Sequence, residues 1–154
     1  MTLQIGDTAP DFELPDQSGG KVRLSAFRGK AVVLYFYPKD DTYGCIAESS
    51  DFRDHYREFQ SANAEVIGIS SDSPESHIRF AKKYELPFRL LSDQDNAVRK
   101  LYGVPSTLGL IPGRVTYLID QKGVVRAVFN SQFNPKSHVE QSLETLLADL
   151  SPKR

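Results

Sequence analysis

The sequence has very little cysteine: one residue, Cys45, in 154. A lone cysteine cannot close an intrachain disulfide, build a Cys-rich zinc or iron–sulfur site, or act as half of a dithiol pair within the chain. Charge of one sign is not in excess either. Nineteen Lys+Arg face 20 Asp+Glu for a net −1, without the basic surplus that a nucleic-acid backbone binder needs. The longest apolar run, 31–37, has seven residues, where a membrane span takes roughly 20. The start, Met1-Thr2-Leu3-Gln4-Ile5-Gly6-Asp7, lacks the basic region and apolar core of a secretory signal. These absences predict a soluble, intracellular chain in a thiol-reducing compartment, with no nucleic-acid or membrane partner.

What is present reads as one domain over 1–154, with 40% hydrophobic and 25% charged residues. Folding at this length buries roughly 68–70% of the extended surface, enough for a core without staples. The turn cluster 15–20 separates candidate strands 11–14 and 21–24, predicting an N-terminal β-hairpin. The run 31–37 is apolar on both alternating faces, as in a central strand covered on both sides, and it stops at Pro38. Phe52, Tyr56 and Phe59 then recur at helical spacing, followed by a strand at 65–70. Ser73-Pro74-Glu75 opens a helix carrying Ile78, Ala81 and Tyr84. A strand at 88–91 leads to a short helix with Val98 and Leu101, closed by Gly103. Strands 115–119 and 124–129 flank an Asp120-Gln121-Lys122-Gly123 turn, and Asn134-Pro135 starts a last helix striped by Val139, Leu143, Leu146, Leu147 and Leu150. A βαβ half followed by a ββα half predicts an α/β, thioredoxin-like fold: a central mixed sheet flanked by helices, extended by the N-terminal β-hairpin.

Cys45 falls just after a strand–loop junction, with Thr42 as the N-cap candidate of the next helix. That places the thiol in a first helical turn at the C-terminal end of a central strand, where α/β sheets build their sites. Backbone N–H groups and the helix dipole favour an anion there, and a thiolate is the nucleophilic form of cysteine. Residue type alone equally allows a small buried hydrophobe. His55 lies about 15 Å of helical rise from Cys45 and cannot serve it as a base. His77 and His138 are expected on helix surfaces, and the aromatics in the core, apart from Tyr43 beside the cysteine.

The segment Val32-Val33-Leu34-Tyr35-Phe36-Tyr37-Pro38-Lys39-Asp40-Asp41-Thr42-Tyr43-Gly44-Cys45 resembles the peroxiredoxin active-site segment, through Pro38, Thr42 and Cys45. The most similar subfamily is peroxiredoxin Q, also called bacterioferritin comigratory protein. Gly6-Asp7-Thr8-Ala9-Pro10-Asp11-Phe12 and Pro112-Gly113-Arg114-Val115-Thr116-Tyr117 resemble other family segments, so the likeness spans nearly the whole chain. It implies a thiol-dependent peroxidase acting on hydrogen peroxide and organic hydroperoxides, with Cys45 as nucleophile and a sulfenic acid as its product. It further implies that Thr42, Arg114 and the N–H groups of Gly44 and Cys45 hold the peroxide, while Pro38 shields the sulfur. Tyr43 would stand at the pocket rim. Glu48, three residues after Cys45, would either orient Arg114 or be a solvated first-turn carboxylate. Neither a metal nor an organic cofactor is implied, and a monomer is expected, with a dimer as the alternative.

The chain departs from the family at the resolving cysteine. The two positions where the subfamily carries it hold Ser50 and Ala81 here, Ser50 being either natural or a replacement for cysteine. Tyr43 stands where Pro is usual, and Ile46 where Thr or Ser is. The sulfenic acid must then be resolved from outside, by thioredoxin, glutaredoxin, glutathione or a second copy of Cys45. The alternative from another class is a peroxide-sensing switch or partner-binding protein with little turnover. A thiol–disulfide oxidoreductase is disfavoured by the missing Cys-x-x-Cys pair.

Overall fold

The computed structural model describes residues 3–104, 106–107, 111–112, 114–130 and 135–150. The N-terminal hairpin pairs β1 (Glu13–Pro15) with β2 (Lys21–Arg23), Leu14 opposite Val22. Its turn is held by the Asp16 carboxylate, which accepts from the N–H groups of Ser18 and Gly20. The first strand starts two residues later than the predicted 11–14. A 3₁₀ turn, Leu24–Phe27, then leads to the centre of the molecule.

The central strand is β3 (Ala31–Phe36), buried at every position. Its odd residues Val33 and Tyr35 pack with Phe52, Phe59 and Val139, and its even residues Val32, Leu34 and Phe36 with Leu24, Tyr102 and Tyr117. This two-sided core is why the run does not alternate polar with apolar. After it come α1 (Tyr43–Asp54), α2 (Tyr56–Ser61), β4 (Ala64–Ser70), α3 (Pro74–Lys83), β5 (Arg89–Ser92) and α4 (Ala97–Leu101). The short pair β6 (Ser106–Thr107) and β7 (Ile111–Pro112) precedes β8 (Val115–Ile119), β9 (Val125–Asn130) and α5 (Pro135–Thr145), which runs on into a π-helical turn, Leu146–Leu150. The five-stranded sheet has the order β5-β4-β3-β8-β9. The pairs of β3 with β4 and of β4 with β5 are parallel, and those of β3 with β8 and of β8 with β9 antiparallel. The sheet is therefore mixed, as predicted. The β8–β9 turn places Gly123 at φ 85°, where a side chain would be strained.

Several local expectations change. The helix after Cys45 breaks at His55, whose backbone N–H and Nδ1–H both donate to the Asp51 carbonyl, at 3.2 and 2.9 Å. The inward face of α3 is set by His77, Phe80, Ala81 and Tyr84, leaving Ile78 49% exposed one residue further round. Leu101 and Leu147 are likewise exposed beside the buried Val98 and Leu146. Asn134 and the side chain of Leu150 lie outside the described residues. His77 and His138, expected on surfaces, are both fully buried.

Candidate active site

The sheet delivers the chain at Pro38, directly beyond β3, into the loop 39–42 that precedes α1. The loop is pinned from α3 and from the end of β4. The N–H of Asp40 donates to Asp72 Oδ2 at 2.7 Å, and the buried Asp40 carboxylate accepts from Tyr37 Oη at 2.6 Å and Ser76 Oγ at 2.8 Å. His77 lies behind it, with Nδ1 2.7 Å from Asp40 Oδ2 and Nε2–H donating to the Leu91 carbonyl at 3.1 Å. Asp41, at φ 60°, takes bonds from Lys83 Nζ and Tyr84 Oη, which hold its carboxyl below the usual range.

Thr42 occupies the N-cap with extended backbone, as expected, but its hydroxyl donates to the Lys39 carbonyl at 2.9 Å rather than capping the helix. The first α1 ladder bond runs from Ile46 N–H to the Thr42 carbonyl at 2.8 Å. The N–H groups of Tyr43, Gly44 and Cys45 therefore stand ahead of the ladder. Cys45 is buried in this first turn. Tyr43 is 92% exposed at the mouth of a cleft of about 290 Å³ lined also by Ile46, Ala47, Ser50, Asp51 and Asp54.

Arg114, immediately before β8, reaches across the fold to α1. Its Nη2 donates to Cys45 Sγ at 3.4 Å and its Nη1 to Glu48 Oε1 at 2.7 Å. Gly44 makes this approach possible, because a Cβ there would lie 2.9 Å from Arg114 Nη2. Glu48 is fully buried, not a solvated carboxylate. Burial pushes its carboxyl up to about 7, although the Arg114 charge and hydrogen bond pull the other way. For Arg114 burial acts to lower its pKa, but the charges of Glu48 and Cys45 outweigh that and raise it. A carboxylate, a guanidinium and a sulfur thus form one buried electrostatic unit.

Two groups at this site carry no signal in the sequence. Arg99, on α4, donates from Nη2 to the Tyr37 carbonyl at 2.9 Å; burial lowers its pKa, opposed by the charges of Asp93 and Cys45. His138, on α5, sits with Nδ1 2.7 Å from Thr116 Oγ1 and 3.6 Å from Glu48 Oε2. The one available hint was helical phase, since His138, Ser142 and Leu146 form an i, i+4, i+8 row, all buried. Among the described residues no group of three or more His, Cys, Asp or Glu is arranged to hold a metal ion.

The Glu48 environment predicts a pH dependence of stability. The folded chain holds this proton up to about 7, the unfolded chain only to 4.5. The folded state therefore binds more protons in that window, and the stabilisation present below pH 4.5 is lost as pH rises through 7. The contribution is on the order of 3 kcal/mol. Urea unfolding between pH 5 and 8 should show this decline in the wild type and a flatter profile in Glu48→Gln. Equal slopes would assign the decline to other groups.

Comparison with known proteins defines the class first. The AhpC/TSA family matches residues 5–128, and the chain belongs to that family. The chloroplastic peroxiredoxin Q of Sedum lineare is 56% identical over 142 residues, covering 92% of this chain and 76% of that protein. Peroxidoxin BcpB from Mycobacterium tuberculosis superimposes with a TM-score of 0.89 at 38% identity, covering 97% of this chain and 99% of that one. A bacterioferritin comigratory protein of Xanthomonas campestris, described for its alkyl peroxide reduction activity, has a TM-score of 0.84 at 32% identity, covering 95% and 96%. Within the family the chain is a peroxiredoxin of the Q group, a thiol-dependent peroxidase on a thioredoxin-like fold. Among the described residues no helix is long and apolar enough to cross a membrane.

Proposed function

We propose that the protein reduces hydrogen peroxide and alkyl hydroperoxides by a one-cysteine cycle resolved by an external thiol. The observation that carries this reading is Cys45 Sγ in the first turn of α1, 3.4 Å from Arg114 Nη2, in a chain without a second cysteine. The Cys45 thiolate attacks one peroxide oxygen. An S–O bond forms, the O–O bond breaks, and the departing alkoxide or hydroxide takes a proton to leave as alcohol or water. The Arg114 fork supplies fixed charge and donors where negative charge moves from sulfur to oxygen. The N–H groups of Gly44 and Cys45 orient the peroxide, the Thr42 hydroxyl, its own proton given to the Lys39 carbonyl, accepts from the peroxide O–H, Pro38 screens the sulfur from water, and Glu48 holds Arg114. Tyr43 at the rim bears on which peroxides enter.

One external thiol then attacks the sulfenic sulfur, giving a mixed disulfide and water. A second thiol reduces that disulfide and restores Cys45. Per turnover a hydroperoxide and two thiols become an alcohol, water and one disulfide. Such a cycle belongs in a reducing compartment, whether cytoplasm or organelle; the Sedum lineare relative is chloroplastic. Steady-state peroxide consumption with thioredoxin, glutaredoxin or glutathione tests the reading, with mass spectrometry of oxidised Cys45. Sustained turnover with a thiol adduct on Cys45 is expected. One oxidation event per chain without turnover would identify a peroxide sensor instead.

A further inference from the structure

His138 is a buried titratable residue that touches the cluster behind Cys45 and has no task in the cycle above. Glu48 Oε1 accepts from Arg114, whereas Oε2, equally buried, accepts no hydrogen bond among the described residues. A buried carboxylate oxygen without a donor is costly unless positive charge or an N–H dipole faces it. The groups around Glu48 are Cys45 one turn earlier on α1, Tyr35 from β3 with its hydroxyl 3.0 Å from Ser49 Oγ, Arg114 from before β8, and His138 from α5. Of these, Arg114 and His138 carry N–H donors, and His138 lies on the Oε2 side.

We propose that His138 is a positioning residue for peroxide reduction: its Nδ1–H, bonded to Thr116 Oγ1 at 2.7 Å and facing Glu48 Oε2 at 3.6 Å, keeps Glu48 ionised and thereby keeps the Arg114 fork on Cys45 Sγ. The proposal rests on the reading of Cys45 as the nucleophile. At 3.6 Å the interaction is one of charge and dipole rather than a hydrogen bond. It matters because burial pushes the Glu48 carboxyl toward its neutral form, so donors facing its oxygens favour the charged one. Once protonated, Glu48 loses its Coulombic attraction for the Arg114 guanidinium, and one of its oxygens becomes a hydroxyl donor. The guanidinium then drifts from the sulfur, and misplacement by about 1 Å can cost about 100-fold in rate.

The test compares H138L, which keeps bulk without an N–H, with H138N, whose amide N–H can occupy the Nδ1 position. Each is made alone and together with E48Q, and single-turnover peroxide reduction by reduced Cys45 is followed at pH 7. H138L is expected to be about 10- to 100-fold slower than wild type. H138N should recover to within about threefold. In the E48Q background, H138L should slow the reaction no further, because a residue acting through Glu48 has nothing left to hold. The proposal is overturned if H138L keeps the wild-type rate, if H138N is as slow as H138L, or if the loss recurs in full over E48Q. Should H138L not fold, H138Q, whose amide reaches the Nε2 position instead, replaces it. Alkylation of Cys45 by iodoacetamide in the same variants needs no peroxide. The same pattern there, with a wild type inert to peroxide, would overturn the peroxidase reading while leaving His138 as the residue that positions Arg114 on the Cys45 sulfur; a flat pattern overturns the inference.

Discussion

Cys45→Ser is expected to abolish peroxide consumption, a loss of about 10⁴-fold or more. The substitution removes one heavy-atom identity and little else. Serine is smaller and buries the same backbone, and its oxygen can still accept from Arg114 Nη2, which lies 3.4 Å from Cys45 Sγ. Stability should therefore change by only about 1–2 kcal/mol. A serine hydroxyl is not ionised at neutral pH and forms no sulfenic acid, so neither half of the cycle can run. In a chain with one cysteine no other residue can substitute. The measurement is peroxide loss with a saturating thiol reductant, beside thermal unfolding of the same sample. Residual turnover of a few per cent in a folded Cys45→Ser protein would falsify the nucleophile assignment.

Arg114→Met should lower both rate and stability, for separable reasons. The rate should fall by about 10²–10³, the usual cost of deleting a donor placed where charge develops. Stability should fall because Glu48, fully buried, loses the bond at 2.7 Å from Arg114 Nη1. Breaking one side of a buried ion pair costs about 3–5 kcal/mol, less whatever is regained when the stranded carboxyl takes up a proton. Replacing both partners by apolar residues leaves no such stranded charge. Glu48→Met combined with Arg114→Met should regain most of the stability while leaving the rate as low as in Arg114→Met alone. If stability and rate recover together, Arg114 serves the fold and not the reaction. Lysine in place of Arg114 should rescue only in part, since a single ammonium cannot serve both Glu48 and Cys45 as the planar fork does.

The readable parts of the fold were those encoded locally. The seven apolar residues ending at Pro38 announced a strand covered on both faces, and β3 is buried at every position. Ser73 and Pro74 marked the start of α3, where Ser73 Oγ accepts from Ser76 N–H. Thr42 as the N-cap candidate put the thiol in a first helical turn, and α1 begins at Tyr43. Which face of a helix turns inward was harder. On α3 a one-residue error in phase, about 100° of rotation, separates exposed Ile78 from buried His77. Apolar residues near the ends of helices misled in the same way at Leu101 and Leu147.

By itself the sequence determined the thioredoxin-like order of strands and helices, the place of the lone cysteine at a helix start, and the absence of a second cysteine from the chain. Each follows from composition or from spacings of a few residues, where chain geometry leaves little freedom. The tertiary structure realised the Arg114–Cys45 and Arg114–Glu48 pairings that the family resemblance implied, and added neighbours of the sulfur that it did not. It brought Arg114 to Cys45 across 69 residues and to Glu48 across 66. It sank His77 behind the active-site loop and His138 beside Glu48, and it carried Arg99 to the end of β3. Those neighbours depend on strand register and on how α3, α4 and α5 dock against the sheet, which are long-range packing outcomes. Burial, which sets the charge on Glu48, exists only once that packing is complete.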